Sequence, residues 1–229
     1  MKMKNKVLLL LVVMNLTLSG FAQKFPATWI ELEVSKQVIK NLKIELNPEL
    51  RLLDSLKMDS YILEGGLSYK LHKYLTLASY YRYEDVYKYK KKSGAYKGQE
   101  ALNLLAFDAK SGFDLDRFGI QFRLRYTQGL FANNNASEFR FRTKVDYDIK
   151  SCKLVPYASV EVFHDYLALA TERELISGQF KGVDKIRYTF GTSYTINKNN
   201  EITIYYRFQD NRIKNQMSNI LGLGYSFDF

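Results

Sequence analysis

At 229 residues the chain is long enough for one closed core or one barrel, and its single Cys excludes an intramolecular disulfide. Tyr 18 and Phe 15 against Pro 3 favour strands, because rings fit a pleated surface and Pro cannot donate to a ladder. The formal charge of +10 is not a nucleic-acid signature: Lys2, Lys4 and Lys6 lie in one N-terminal run and Lys88, Lys90, Lys91, Lys92 and Lys97 in one stretch, leaving about +2 for the rest.

Residues 1–22 read as a signal peptide. The three lysines form a basic start, Val7 to Leu18 an apolar core, and Gly20-Phe21-Ala22 supplies small residues at the −3 and −1 positions. Cleavage is expected after Ala22, leaving residues 23–229 as one domain, and no Cys follows Ala22 to carry a lipoprotein anchor. No later stretch has the roughly 18 continuous apolar residues of a membrane helix. Export without a helical anchor leaves the periplasm, secretion or the outer membrane of a Gram-negative bacterium. A slightly hydrophilic mean hydropathy does not argue against a barrel, in which every second strand residue faces a polar lumen.

Period-two alternation then recurs along the chain. Ile30, Leu32 and Val34 alternate with Glu31, Glu33 and Ser35, and Leu42, Ile44, Leu46 and Leu50 with Lys43, Glu45, Glu49 and Arg51. Tyr61, Leu63, Leu67, Tyr69 and Leu71 oppose Glu64, Ser68 and Lys70, and after a tight turn at His72-Lys73, Leu75, Leu77, Tyr81 and Tyr83 oppose Thr76, Ala78, Tyr80, Arg82 and Glu84. From Ala101 to Lys110 the period breaks at Leu104-Leu105, which predicts a bulge or a register that the alternation does not assign. Alternation returns at Phe118–Tyr126 against Gln121, Arg123 and Arg125, and at Phe139–Ile149 against Glu138, Arg140, Arg142, Lys144, Asp146 and Asp148. It continues at Ala158–Val162 against Tyr157, Ser159 and Glu161, and a long polar loop is expected over His164 to Gly182. Ile186–Ile196 then oppose Lys185, Arg187 and Thr189, and Ile202–Phe208 oppose Thr203, Tyr205 and Arg207.

The last strand, Leu221 to Phe229, is apolar or aromatic at odd positions and small or polar at Gly222, Gly224, Ser226 and Asp228. Tyr225, Phe227 and Phe229 resemble the terminal signature that the barrel-assembly machinery reads, which implies that partner. Short connections alternate with mostly longer ones, as expected of periplasmic turns and external loops. The fold class is all-β: an antiparallel up-and-down transmembrane β-barrel of 10 to 12 strands. Eleven are countable, and because single-chain bacterial barrels use even numbers the expectation leans to 12.

Several short motifs carry a family likeness: Trp29-Ile30-Glu31, Glu49-Leu50-Arg51, Gly66-Leu67-Ser68-Tyr69 with Tyr80-Tyr81-Arg82-Tyr83, Tyr205-Tyr206-Arg207-Phe208, and Tyr225 to Phe229. With them the chain resembles a domain-of-unknown-function family of small outer-membrane barrels from Bacteroidetes-type bacteria. The resemblance implies fold and location, and brings no activity.

The candidate solute contacts are Arg82, Arg123, Arg125, Arg140, Arg142, Arg187 and Arg207, with Lys144, all on the lumen-facing parity. Arg123 with Arg125 and Arg140 with Arg142 fall on adjacent strands, so four planar donor forks share one patch of wall, suited to carboxylates or phosphates. Many acids share that parity, Glu31, Glu45, Glu64 and Glu161 among them, and a narrow barrel with both signs inside usually fills with ion pairs. Two readings stand: a charge-lined structural barrel or small pore, and an anion-preferring porin for acidic solutes or oligosaccharides. A lipid hydrolase is the third and weakest, since His72 and His164 are the only histidines and neither has an evident nucleophile beside it. No metal cluster or cofactor motif is expected. The lysines at 88, 90, 91, 92 and 97 read as an external basic loop, solvated or touching anionic lipopolysaccharide. The expected partners are outer-membrane lipid, the assembly machinery and an acidic solute, with no nucleic acid and a monomeric chain.

Overall fold

The computed structural model describes residues 26–90, 93–130, 137–165, 183–213 and 215–229. The signal segment, Lys91, Lys92, the Asn133–Asn135 turn and residues 166–182 of the long loop lie outside the described residues. The described chain is β throughout: β1 (Ala27–Ile39), β2 (Leu42–Leu52), β3 (Met58–His72), β4 (Leu75–Tyr89), β5 (Tyr96–Leu115), β6 (Phe118–Gly129), β7 (Ser137–Tyr147), β8 (Leu154–Asp165), β9 (Lys185–Asn197), β10 (Asn200–Asn211) and β11 (Gln216–Asp228).

Each strand pairs with its sequence neighbours, and β1 closes on β11, so the ring is complete. Among the described residues it is a transmembrane β-barrel of eleven strands, within the expected ten to twelve though not the twelve that the even-number rule favoured. Ala27 registers with Ile220 and Ser35 with Asp228 in the same direction, so the closing seam is parallel while every other pair is antiparallel. The first alternating segment is a full strand. It starts at the end that carries the longer loops, whereas β11 finishes at the end that carries the short turns. The short turns use strained backbone where they must: Asn41, Asp116 and Ser151 adopt positive φ.

Odd and even positions separate as the pleat requires. Leu63, Leu67, Leu77, Phe107, Leu124, Phe141, Phe190 and Leu223 stand on the outer face and are exposed, forming the apolar belt that lipid covers. Glu64, Arg82, Asp108, Arg125, Glu161 and Arg187 face in and are buried. Three lumen tyrosines lie on glycines of the adjoining strand: Tyr80 over Gly66, Tyr157 over Gly191 and Tyr205 over Gly222. A Cβ at any of these glycines would meet ring atoms at less than contact distance, so the missing side chain is what lets each ring lie flat against the wall.

The bulge predicted at Leu104-Leu105 is absent. β5 runs unbroken in register from Gln99 to Ser111 against β4. Leu104 and Ala106 break the polarity pattern because they face the lumen and pack there, Ala106 in one buried cluster with Ala78 and Tyr80. A different residue breaks the ladder. Pro48 sits inside β2, where it has no N–H to give, and the β1–β2 pairing skips from Glu31–Glu49 to Val34–Leu46. Strands also reach further than the alternation suggested: β4 and β5 extend to Tyr89 and Tyr96, and β8 takes in His164 and Asp165.

Candidate functional site

The lumen is organised around Arg125. Its guanidinium donates from Nη1 and Nη2 to the two oxygens of Glu64 at 2.9 and 3.0 Å, and from Nε and Nη2 to those of Asp108 at 2.6 and 3.0 Å. All its fork geometry is used, which Lys would not reproduce. Below it, Lys110 donates to the Tyr80 hydroxyl at 2.7 Å, and Tyr80 donates to Glu45 at 2.6 Å while Ser68 donates to the same carboxylate. Arg51 bonds Glu49 at 2.7 Å and reaches Glu84, which Arg82 holds at 2.9 Å. Arg123 bonds Glu161 at 2.6 Å with Arg187 at 3.6 Å on its other oxygen; Arg140 bonds Glu138; Arg207 stands 3.7 Å from Glu31, which also accepts from Tyr205.

Aromatic rings fill the gaps between these pairs. The Trp29 ring carries Arg51, Arg207 and Arg187 at 4.0, 4.7 and 5.0 Å, and the Phe163 ring carries Lys185, Arg187 and Arg140 at 3.9, 4.4 and 5.1 Å. Cations desolvated against ring faces are worth about 2 kcal/mol or more each, well above the exposed case. Toward the loops, Ser60, Ile62, Leu104, Thr127 and Phe163 are all buried, so the described side chains leave little accessible surface in that part of the lumen. Toward the turns, Glu33 is exposed to the lumen and Lys43 and Asp228 pair at 2.6 Å with their side chains 38% and 46% exposed, so this end is open. Between lies a cavity of about 490 Å³, within the range of small-molecule sites, with Trp29, Ile62 and Arg82 at the packed end and Glu33, Lys144 and Glu201 at the open one.

All seven arginines singled out from sequence face this interior, with Lys144. Register sets Arg123 directly opposite Arg142 and Arg125 opposite Arg140. The four do not form a bare anion ladder, because carboxylates from β3, β5, β7 and β8 take up three of them. Asp108, Arg51, Lys110 and Lys185 belong to the lumen as well and escaped the lumen arginine list. For Asp108 and Lys110 the signal was available: even positions from Leu102 onward hold the lumen parity once Leu104 is read as a buried filler. For Trp29 and Phe163 the residue type gave no signal, since a ring fits either face, and only the parity they share with Glu31 and Glu161 points inward.

At the loop end, Lys88 on β4 and Lys97 on β5 lie where the two strands pair up to Tyr89 and Tyr96. Lys88 is ion-paired with Glu100, and Lys57 of the preceding loop donates to Gly94 O at 2.8 Å and lies 5.5 Å over the Tyr89 ring. At the turn end, the Phe227 and Phe229 rings meet edge to face at 4.3 Å. The histidines are not brought together: His72 ends β3 at the turn side and His164 lies near the loop end of β8, opposite Phe139.

This architecture has known relatives. The sequence matches, over residues 27–219, the family described as "Protein of unknown function (DUF2490)". Among solved structures the chain is similar to the NanC porin in its rhombohedral crystal form, with 12% identity, a TM-score of 0.54, and coverage of 89% of this chain and 98% of that one. At that identity the likeness speaks for the fold. No curated protein matches.

Proposed function

The chain belongs to the DUF2490 family of unknown function, and we propose from its lumen that it is an outer-membrane barrel held closed at the loop end by charge pairing, a structural barrel or low-conductance pore. The observation that carries this is the packed end of the lumen, where Trp29 and Phe163 are each enclosed by three cations. A permeating ion would have to displace desolvated pairs there, and such pairs are strongly coupled. The porin-like fold and the signal segment support export across the inner membrane of a Gram-negative cell and insertion as a monomer in the outer membrane. The Tyr225, Phe227 and Phe229 strand supports recognition by the assembly machinery, and the external lysines support contact with anionic lipopolysaccharide.

Current through planar bilayers tests the reading. Purified mature protein is expected to show no stable large steps, and Trp29→Ala with Phe163→Ala to raise conductance by opening the packed end. Large stable openings of the wild type would overturn it. An anion-preferring pore is the second reading, favoured by one observation: Arg142 lines the cavity with no carboxylate at ion-pair distance among the described residues. A reversal potential toward the anion in the opened variant, reduced by Arg142→Gln, would speak for it.

A further inference from the structure

Of the charged side chains that line the cavity, four make no ion pair among the described residues: Arg142 and Lys144 on β7, Glu33 on β1 and Glu201 on β10. Their lack of partners has local causes. Arg142 registers with Glu161, but that carboxylate is drawn to Arg123 at 2.6 Å and Arg187 at 3.6 Å. Lys144 registers with Ser159 and rests its ammonium 4.6 Å over the Tyr157 ring instead of on a carboxylate. Glu33 lies where Pro48 interrupts the β1–β2 ladder, and Glu33 and Glu201 both register with Ser226, one on either side of it.

The two signs face one another across the space. In the ring, β1 stands five strands from β7 one way and six the other, so Glu33 is on the opposite wall. Lys144 is in electrostatic reach of Asp146 first and then of Glu201 and Glu33, and Glu33 of Lys110 and then Arg142, yet none of these pairs is at ion-pair distance among the described residues. The gap between them is the open part of the cavity. The basic wall has a further unused donor, because Arg123, directly across from Arg142, bonds Glu161 through Nη2 while its Nε is buried without a hydrogen-bond partner. Separated, unmatched charges in a confined space stay solvated by water or by a molecule that brings the opposite signs.

We propose that the cavity is a binding site for a small zwitterionic solute that enters from the turn side, its anionic group held by Arg142, Lys144 and Arg123 and its ammonium by Glu33 and Glu201. A solute with one charge answers one wall and leaves the other unmatched, which is the basis of selection. Nothing covalent is required. The site goes beyond the closed-lumen reading, since binding does not need passage.

Trp29 is the chain's only tryptophan and lines the same cavity, so its emission reports on occupancy. Mature protein in detergent is titrated with glycine, 4-aminobutyrate and 6-aminohexanoate, and with butyrate and butylammonium as single-charge controls, with equilibrium dialysis beside each titration. One of the zwitterions is expected to bind about tenfold more tightly than either control, the worth of one charge-assisted hydrogen bond. The Glu33→Gln/Glu201→Gln double variant should lose that margin and keep the affinity for butyrate. Arg142→Gln, or Lys144→Gln should that variant fail to fold, should lose both. Equal binding of butyrate and the zwitterions, unchanged zwitterion binding in the Gln variants, or no binding by dialysis would each overturn the proposal. Conductance is not part of these readouts, so a failure here leaves the closed-lumen reading standing and the reverse holds too.

Discussion

Arg125→Ala is the sharpest test of how the barrel is held. The guanidinium is 7% exposed and makes four hydrogen bonds to two carboxylates, of which Asp108 is fully buried. Among the described residues, truncation leaves Glu64 only Arg82 at 3.8 Å and strips Asp108 of its ion-pair partner. Breaking a buried pair by removing one member costs about 3–5 kcal/mol, because the remaining charge stays buried and uncompensated. Two acids left without the guanidinium they share, one on β3 and one on β5, place this case at the upper end of that range. Urea titration of protein folded into lipid vesicles, followed by Trp29 emission, measures the loss. The triple variant Arg125→Met, Glu64→Gln, Asp108→Asn removes charge from all three and should recover most of it, since apolar or neutral replacements of buried ion networks are often no less stable. A loss below about 1 kcal/mol for Arg125→Ala, or a triple variant no better than the single one, would refute the claim that this cluster carries the lumen.

Gly222→Ala should destabilise by about 1–3 kcal/mol, because its Cβ would run into the Tyr205 ring, while Gly224→Ala, whose nearest neighbour is Thr203 Cβ at 3.5 Å, should be nearly silent in the same titration. Leu223→Arg puts a charge on the lipid face in the middle of β11 and is expected to cost about 2–4 kcal/mol. Removing Phe229 takes away the edge-to-face contact with Phe227, worth about 0.5–1.5 kcal/mol, and slower insertion in cells, read by heat-modifiable mobility, would reflect lost recognition when the titration shifts by no more than that.

The barrel was legible because its two faces obey different chemistry over every strand, and period two survives even where individual residues are ambiguous. The seven lumen arginines were legible for the same reason, since an arginine on the lipid face is too costly to be a plausible alternative. What could not be read was which charge each one meets. Glu161 lies opposite both Arg142 and Arg187 in register, yet its shortest ion pair is with Arg123 two strands away and Arg142 is passed over, because the tilt of the strands and the reach of the side chains decide partners that alternation does not encode. The break at Leu104-Leu105 misled for a related reason: a small apolar filler against Tyr80 looks like a lost period when lumen and polar are taken as synonyms.

Strand number is where the even-number rule and the chain part. The rule follows from both termini lying on one side, and here β1 sets out from the loop end while β11 finishes at the turn end, so eleven strands close with one parallel seam. Parallel pairing is slightly less stable per residue, and on the other edge of β1 Pro48 removes further ladder bonds near Leu32 and Glu33. β1 is therefore the least secured strand in the wall over that stretch. It is also the strand that presents Trp29, Glu31 and Glu33 to the lumen, so the residues that close one end of the cavity and face β7 across it are carried on the element with the fewest backbone ties. Side-chain bonds take over part of that duty: Tyr205 of β10 donates to Glu31, the Arg51 guanidinium of β2 lies on Trp29, and Ser35 donates to Asp228 of β11 at 2.9 Å. The charge network of the lumen thus fastens β1 from inside where the ladder does not, which ties the closing of the ring to the filling of its interior.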